Sequence, residues 1–242
     1  MQIMLTLRPA QPLTIPLNYN YQLQSAVYAM LGEVGESDFW HDNGFGDVTR
    51  FKGFCFSSLT GSYRVDTENK TIRFEDTVEL EVRSPAFSFI DAFQRALEQH
   101  PFLKLFDTRL DVTGAALFNT HLPSGRVTFR AVTPAVARAT REDGSTYYFS
   151  PQEDGYFERL RLNAQKKFEA VTGTPAPALS LTPAGEYKKT VTKYKGFYVI
   201  GYTGVFRLDS TLAMAEFLYN AGLGEKNAQG FGFLRLPYDE LP

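Results

Sequence analysis

The order in which hydrophobic periods succeed one another along the chain restricts its fold more than any other feature. Ile3 to Leu7 alternates apolar and polar residues, the period of a strand, and Pro9 and Pro12 end it. From Tyr21 to Leu31 the period becomes helical. Leu23, Val27, Met30 and Leu31 fall on one stripe, Tyr21, Gln24 and Tyr28 lie on its flank, and Gly32 and Gly35 close the helix. Phe54 to Leu59 reads as a strand, and Thr71 to Val82 as another with a break near Asp76. Pro85 precedes a helix that turns Phe89, Ile90, Phe93, Ala96 and Leu97 inward, and strand-like residues follow Pro101 as far as Phe118. The order is strand, helix, strand, strand, helix, strand.

The second half runs through the same order. Val127 to Val132 reads as a strand, and Ser150-Pro151-Gln152-Glu153 as a capping box with proline at the first helical position. The predicted helix carries Phe157, Leu160, Ala164, Phe168 and Val171 on one stripe and ends at Gly173. After a loop at Thr174 to Pro177, strands are expected near Leu179 to Thr190 and Phe197 to Phe206. Asp209 or Ser210 caps a short helix with Leu212, Phe217 and Leu218, and Phe231 to Leu236 closes the order as a strand. The turn-rich Leu122-Pro123-Ser124-Gly125 marks the boundary, giving halves 1–122 and 123–242. The expected class is α+β: two tandem ferredoxin-like (RRM-like) domains, each an antiparallel sheet with helices on one face. Only element order repeats; the two halves show no sequence repeat.

With 242 residues, 43% of them hydrophobic, the chain has enough apolar material for a substantial core. The net charge of −2 argues mildly against a nucleic-acid binder, but the charge is unevenly spread. Between Tyr156 and Lys195 stand eight Lys or Arg and three acids, which is either a solvated face or a basic surface on an acidic protein. Cys55 is the sole cysteine, so no intrachain disulfide forms, and a reducing, cytoplasmic location is expected. Met1 to Gln11 lacks the pattern of a signal peptide, and no apolar run reaches membrane-spanning length, so no membrane partner is expected.

Gly222-Leu223-Gly224-Glu225-Lys226-Asn227-Ala228-Gln229-Gly230-Phe231-Gly232 is the most specific motif: glycine-apolar-glycine, five residues, then glycine-apolar-glycine. Paired glycines let backbone approach backbone and expose N–H groups to phosphate. A dinucleotide fold would need such glycines in its first strand-to-helix turn, and here they follow a helix and lead into a last strand. Walker spacing is also missing.

This loop, its position near the C-terminus and the doubled element order resemble the RAMP superfamily of CRISPR-associated proteins. Within that superfamily the chain is similar to the repeat-processing endoribonucleases. The resemblance implies a catalytic histidine after the first helix, a tyrosine on that helix and a lysine shortly downstream. The matching residues are Tyr28 (in Val27-Tyr28-Ala29), His41 (in Phe39-Trp40-His41) and Lys52 (in Lys52-Gly53-Phe54), with Arg50 able to replace Lys52. It implies that RNA's own 2′-hydroxyl attacks the adjacent phosphorus, leaving a 2′,3′-cyclic phosphate and a 5′-hydroxyl. Histidine would take or give a proton near neutral pH, lysine would stabilise the phosphorane, and tyrosine would position or polarise the 2′-hydroxyl. No metal and no cofactor is expected: the three separated histidines and one cysteine supply no zinc pattern, and His41-Asp42 lacks the further ligands of an HD site.

RNA contacts are expected from Gly222, Gly224, Lys226, Gly230 and Gly232 in the loop. Lys188, Lys189, Lys193 and Lys195 flank a predicted hairpin and join them, with Arg159 and Lys166 as further candidates. Tyr187 and Tyr194 interleave with the lysines and are candidates for stacking on bases. The expected partner is CRISPR repeat RNA, with other CRISPR-associated effector subunits as further candidates and monomer or homodimer left open. Blander roles stand beside each residue: His41 as a surface histidine, Tyr28 as a packing tyrosine, Lys52 as surface charge, Trp40 as core. Two other readings follow from them: a non-catalytic RNA-binding subunit of a CRISPR ribonucleoprotein, and an RRM-like scaffold unrelated to RNA.

Overall fold

Every strand pairing in the two large sheets is antiparallel, and one strand organises the first sheet. The computed structural model describes residues 1–46 and 50–237. Its first sheet is built on β5 (Thr71–Arg83), which runs unbroken past Asp76 and buries Ile72, Phe74, Val78, Leu80 and Val82. β1 (Gln2–Pro9) lies between β5 and β7 (Thr108–Phe118), and β6 (Phe102–Leu105) forms an edge. β2 (Leu13–Pro16) continues along the β1 side of β5. Two further segments pair with β5, β3 (Cys55–Phe56) and β4 (Thr60–Asp66).

The strand expected over Phe54 to Leu59 is thus only two residues long, because the chain leaves the ladder at Ser57 and rejoins it as β4. At the break the Leu59 N–H donates to the Tyr19 hydroxyl at 3.1 Å. Sequence periodicity missed β4 because all seven of its residues are exposed, so no apolar alternation marks it. Helices α1 (Asn20–Gly32) and α2 (Phe87–Gln99) cover the sheet with the predicted stripes, Leu23, Val27, Met30 and Leu31 on one and Phe89, Ile90, Phe93, Ala96 and Leu97 on the other.

The second sheet has the order β11–β12–β8–β13. It comprises β8 (Arg126–Ala135), β11 (Ser180–Tyr194), β12 (Phe197–Asp209) and β13 (Leu234–Arg235), with a small hairpin of β9 (Arg138–Thr140) and β10 (Thr146–Tyr148) beside it. α3 (Gly155–Thr172) and α4 (Leu212–Ala221) pack on it through Tyr156, Leu160, Ala164 and Phe168, and through Met214, Phe217 and Leu218. Three local expectations shift. Glu153 does accept from the Ser150 N–H at 2.5 Å, but residues 150–154 form a turn and the helix starts at Gly155. The cap of α4 is Thr211, which accepts from the Met214 N–H, in place of Asp209 or Ser210. The closing strand shrinks to two residues, because Phe231 and Phe233 belong to the packed base of the glycine loop.

Both sheets follow the ferredoxin-like order, with each half's first and third strands adjacent at the centre. The halves share buried contacts. The Arg83 guanidinium lies over the Tyr219 ring at 3.9 Å and the Phe233 ring at 4.1 Å, and donates to the carbonyls of Tyr219 and Leu234. Glu81 neutralises it and also pairs with Arg235, each contact at 2.5 Å. Cys55 Sγ donates to the Asn220 carbonyl at 3.3 Å, and burial pushes that thiol up to about 12. Among the described residues no helix is long and apolar enough to cross a membrane.

Candidate active site

Tyr28 stands one helical turn after Gln24 on the flank of α1, half-buried against the first core. Its ring meets Phe54 edge-on at 5.6 Å and His41 edge-on at 5.1 Å. Burial raises the phenol well above its ordinary range, and a hydrogen bond with Gln24 only partly opposes that. His41 is delivered by a single π-helical turn, Phe39–Asn43. Trp40 anchors the turn: it is buried and meets Phe89 edge-on at 5.1 Å. The next side chain therefore points outward, and His41 is 61% exposed. Its Nδ1 lies 2.6 Å from Asp42 Oδ1, so the Asp42 carboxylate accepts from Nδ1–H and Nε2 is the ring nitrogen not held by Asp42.

The chain returns through a pinned loop. Phe45 and Phe51 exchange two backbone hydrogen bonds of 2.7 and 2.8 Å, and Gly44 has φ +65° where a Cβ would collide with the Phe51 carbonyl. Residue 52 is thus brought back beside the π turn. Lys52 Nζ donates to the His41 carbonyl, and Arg50 donates to the Asp42 carbonyl at 2.8 Å. Partial burial lowers the Lys52 ammonium from its ordinary value, and Asp42 opposes that shift. Tyr28, His41 and Lys52 come together, and Arg50 stands beside Lys52 in the same loop.

A cleft of about 460 Å³ opens next to them, between the halves. Arg50 and Lys52 line one side, and Arg138, Arg159, Lys166 and Lys226 line the other. Among the described residues only one carboxylate, Glu225, shares the lining, and it is paired with Arg138 at 2.7 Å. A cleft with this excess of cations attracts polyanions. The glycine-rich loop supplies Gly224 to Gln229 to its wall, so the loop and Lys52 face the same space.

The loop itself is built differently from the expectation that its amides face phosphate. The N–H groups of Gly222, Gly230 and Gly232 are taken by the carbonyls of Leu218, Asn227 and Pro134. At Gly232, φ +69°, a Cβ would collide with the Leu223 carbonyl. These glycines let the loop fold onto itself, and Lys226 is its cationic side chain in the cleft.

The four hairpin lysines are divided. Lys195, in the β11–β12 turn, places its ammonium 4.3 Å over the Tyr21 ring, next to the flank of α1 that carries Tyr28. Lys188, Lys189 and Lys193 are exposed along β11, opposite Thr203, Tyr202 and Tyr198. Adjacent strand residues point to opposite faces, so Lys188 and Lys189 cannot share one surface. Lys188 lines a separate groove with Arg130. The two tyrosines read as base-stacking candidates are engaged elsewhere. Tyr187 donates to the Val205 carbonyl at 2.7 Å and packs on Phe206, and Tyr194 is buried and donates to Gln24. The exposed aromatic residues of that hairpin are Phe197 and Tyr198.

Sequence reasoning also missed Lys167, which it counted as surface charge. The side chain is buried beneath the glycine loop. The missed signal was its spacing: three residues after Ala164 and seven after Leu160, Lys167 falls on the apolar stripe of α3.

Two antiparallel ferredoxin-like sheets, with the glycine-rich loop lining the cleft between them, define a tandem ferredoxin-like protein. Residues 119–236 match the family described as "CRISPR associated protein Cas6, C-terminal". The chain is 25% identical to the CRISPR-associated endoribonuclease Cas6 1 of Methanocaldococcus jannaschii, over 97% of this chain and 92% of that protein. It is 24% identical to the CRISPR-associated endoribonuclease-like protein Cas6nc of Pyrococcus horikoshii, over 92% and 93%. A solved structure described as a RAMP protein binding different RNA substrates superposes with a TM-score of 0.83 at 24% identity, over 98% of this chain and 99% of that one. The second half of the chain thus matches the Cas6 C-terminal family, and the whole chain is similar to Cas6-type proteins over nearly its full length.

Proposed function

We propose that this chain is a metal-independent endoribonuclease that cuts CRISPR repeat RNA, with Tyr28, His41 and Lys52 as its catalytic residues. The convergence of a phenol, an imidazole and an ammonium beside a cation-lined cleft carries the reading. The relative named a CRISPR-associated endoribonuclease, aligned over nearly the whole chain, supports it. In this reading residues 1–122 carry the centre and residues 123–242 the loop-bearing half. Repeat RNA lies in the cleft, and the protein works in the cytoplasm as a monomer or homodimer, alone or beside other effector subunits.

The roles we propose are compatible with that geometry. RNA brings its own nucleophile, the 2′-hydroxyl, whose oxygen attacks phosphorus while the bond to the 5′-oxygen breaks. The products are a 2′,3′-cyclic phosphate and a 5′-hydroxyl. His41, with Nδ1 turned to Asp42, exchanges a proton with RNA through Nε2. Tyr28 stays protonated, so it donates to the 2′-oxygen or a phosphate oxygen and positions it. Lys52 uses one N–H on the His41 carbonyl and keeps two for the nonbridging oxygens as charge builds.

The test is cleavage of repeat RNA in EDTA. Cutting should persist in EDTA and stop when the 2′-hydroxyl before the scissile phosphate is replaced by hydrogen. His41→Ala should slow it by about 10²- to 10⁴-fold, the usual worth of a general acid or base. Cutting that needs added metal, or an undiminished His41→Ala rate, sinks the mechanism. The exposure of His41 favours one second reading, an RNA-binding subunit that does not cut. Tight binding of intact repeat with no product at any pH selects it.

A further inference from the structure

Beneath the glycine-rich loop lies a buried polar hub for which the proposed chemistry has no use. Lys167 Nζ donates to the Gly222 carbonyl at 2.8 Å, the Gly224 carbonyl at 3.0 Å and Asn227 Oδ1 at 2.6 Å. The Asn227 amide nitrogen donates in turn to the carbonyls of Leu223 and Phe231, at 3.2 and 3.0 Å. One ammonium and one amide thereby bind five points of the loop, on both of its glycine-apolar-glycine arms. All three oxygens around Nζ are pure acceptors, and only the protonated amine has three N–H groups to meet them. Burial works against that form and pushes Lys167 down to about 7.

The hub holds a backbone that would not keep its shape unaided. Gly222, Gly224, Lys226, Gly230 and Gly232 all have left-handed φ, between 63° and 83°. Lys226, at φ 63°, is the one with a side chain, and L residues avoid that conformation. Its ammonium lines the cleft with Arg50 and Lys52. It lies 5.4 Å from the Phe197 ring and within 3.4 Å of Gln229 Oε1.

We infer that Lys167 is a positioning residue for RNA capture: through Asn227 it fixes the loop so that Lys226 reaches the RNA backbone in the cleft. The inference rests on the RNA-cleaving reading of that cleft. Lys167 never touches RNA, and its influence passes through Lys226.

The test uses the full chain and a repeat RNA made entirely of 2′-fluoro nucleotides, which lacks the nucleophile and stays intact. Affinity is measured across a salt series for the wild type, Lys226→Ala, Lys167→Met, the double variant and Asn227→Ala. Loss of one phosphate contact lowers the slope of log Kd against log salt by about one. Lys226→Ala should show that loss. Lys167→Met should show the same loss although the ammonium it removes is spent on the loop's own oxygens. The double variant should bind within about twofold of Lys226→Ala, because both changes remove one contact. A packing role alone would leave the slope untouched. A wild-type slope in Lys167→Met, or losses that multiply in the double variant, overturns the inference. Should Lys167→Met fail to fold, Asn227→Ala decides: it keeps the lysine but removes the amide that passes its hold to Leu223 and Phe231, and a wild-type slope in it overturns the inference equally. A wild-type protein that does not bind this RNA overturns the functional reading itself, and this inference with it.

Discussion

Tyr28 enters the proposed chemistry as a phenol that keeps its proton. Burial holds the Tyr28 phenol protonated through the neutral range, so it contributes no limb to a pH–rate profile. Tyr28→Phe should lower the single-turnover rate by roughly ten- to a hundredfold and leave both limbs of the profile between about pH 6 and 9 where they were. A limb that shifts or vanishes would make the phenol a proton carrier and undo the assignment. These residues were legible because their types and order matched a known pattern and because each sits next to a strong local signal. Tyr28 lies on the flank of an apolar stripe, and His41 follows a tryptophan that had to be buried. The partners that orient them were not legible. The reach of Arg50 and Lys52 to the Asp42 and His41 carbonyls depends on the pairing of Phe45 with Phe51, and no period in the sequence encodes that. Lys167 was hidden by the ordinary expectation that lysines are solvated, which its place on an apolar stripe contradicted.

Elements with one buried and one exposed face were readable, and elements without that contrast were not. β1, α2 and the β8 core announced themselves through period, β3 and β13 were read longer than they are, and the exposed β4 gave no signal. The β11–β12 hairpin was found, but Tyr187 and Tyr194, read as stacking candidates, donate to Val205 and Gln24 instead. The glycine-rich loop was legible as a motif, yet its glycines serve close backbone packing more than phosphate binding. That difference is measurable. Gly232→Ala combines a left-handed φ with a collision against the Leu223 carbonyl. Gly173→Ala shares the left-handed φ at the end of α3 but meets nothing within 4 Å. The first should cost about 2–4 kcal/mol and the second about 1 kcal/mol. At about 2–4 °C per kcal/mol for a chain of this size, the melting temperatures should separate by several degrees. Equal shifts would mean that the loop yields easily and that Gly232 has no special place in it.

At the scale of the molecule, the two sheets are fastened by groups a sequence pattern would assign to solvent. Arg83 is buried with Glu81 at the junction, and its guanidinium is shared between the ring and carbonyl of Tyr219, the ring of Phe233 and the carbonyl of Leu234. Ala228 from the glycine loop belongs to the core of the first half, and Asn20 of α1 donates to the Gln229 carbonyl at 3.1 Å. Halves bound this way should unfold together, in one calorimetric transition whose van't Hoff and measured enthalpies agree. Arg83→Met removes one partner of a buried pair and leaves Glu81 with Arg235 alone, which should cost about 3–5 kcal/mol. Because the lost contacts join the halves, the damage should fall on cooperativity too, and a second, earlier transition should appear as the weaker half melts first. Replacing both partners, Glu81→Leu with Arg83→Met, removes the stranded carboxylate and should recover part of the loss, since a buried pair often contributes little beyond its apolar substitute. Recovery of stability without recovery of the single transition would show that the ion pair couples the halves more than it stabilises them. If Arg83→Met instead melts in one step with wild-type enthalpy, the junction is held by apolar packing, and the cleft would keep its shape without the pair.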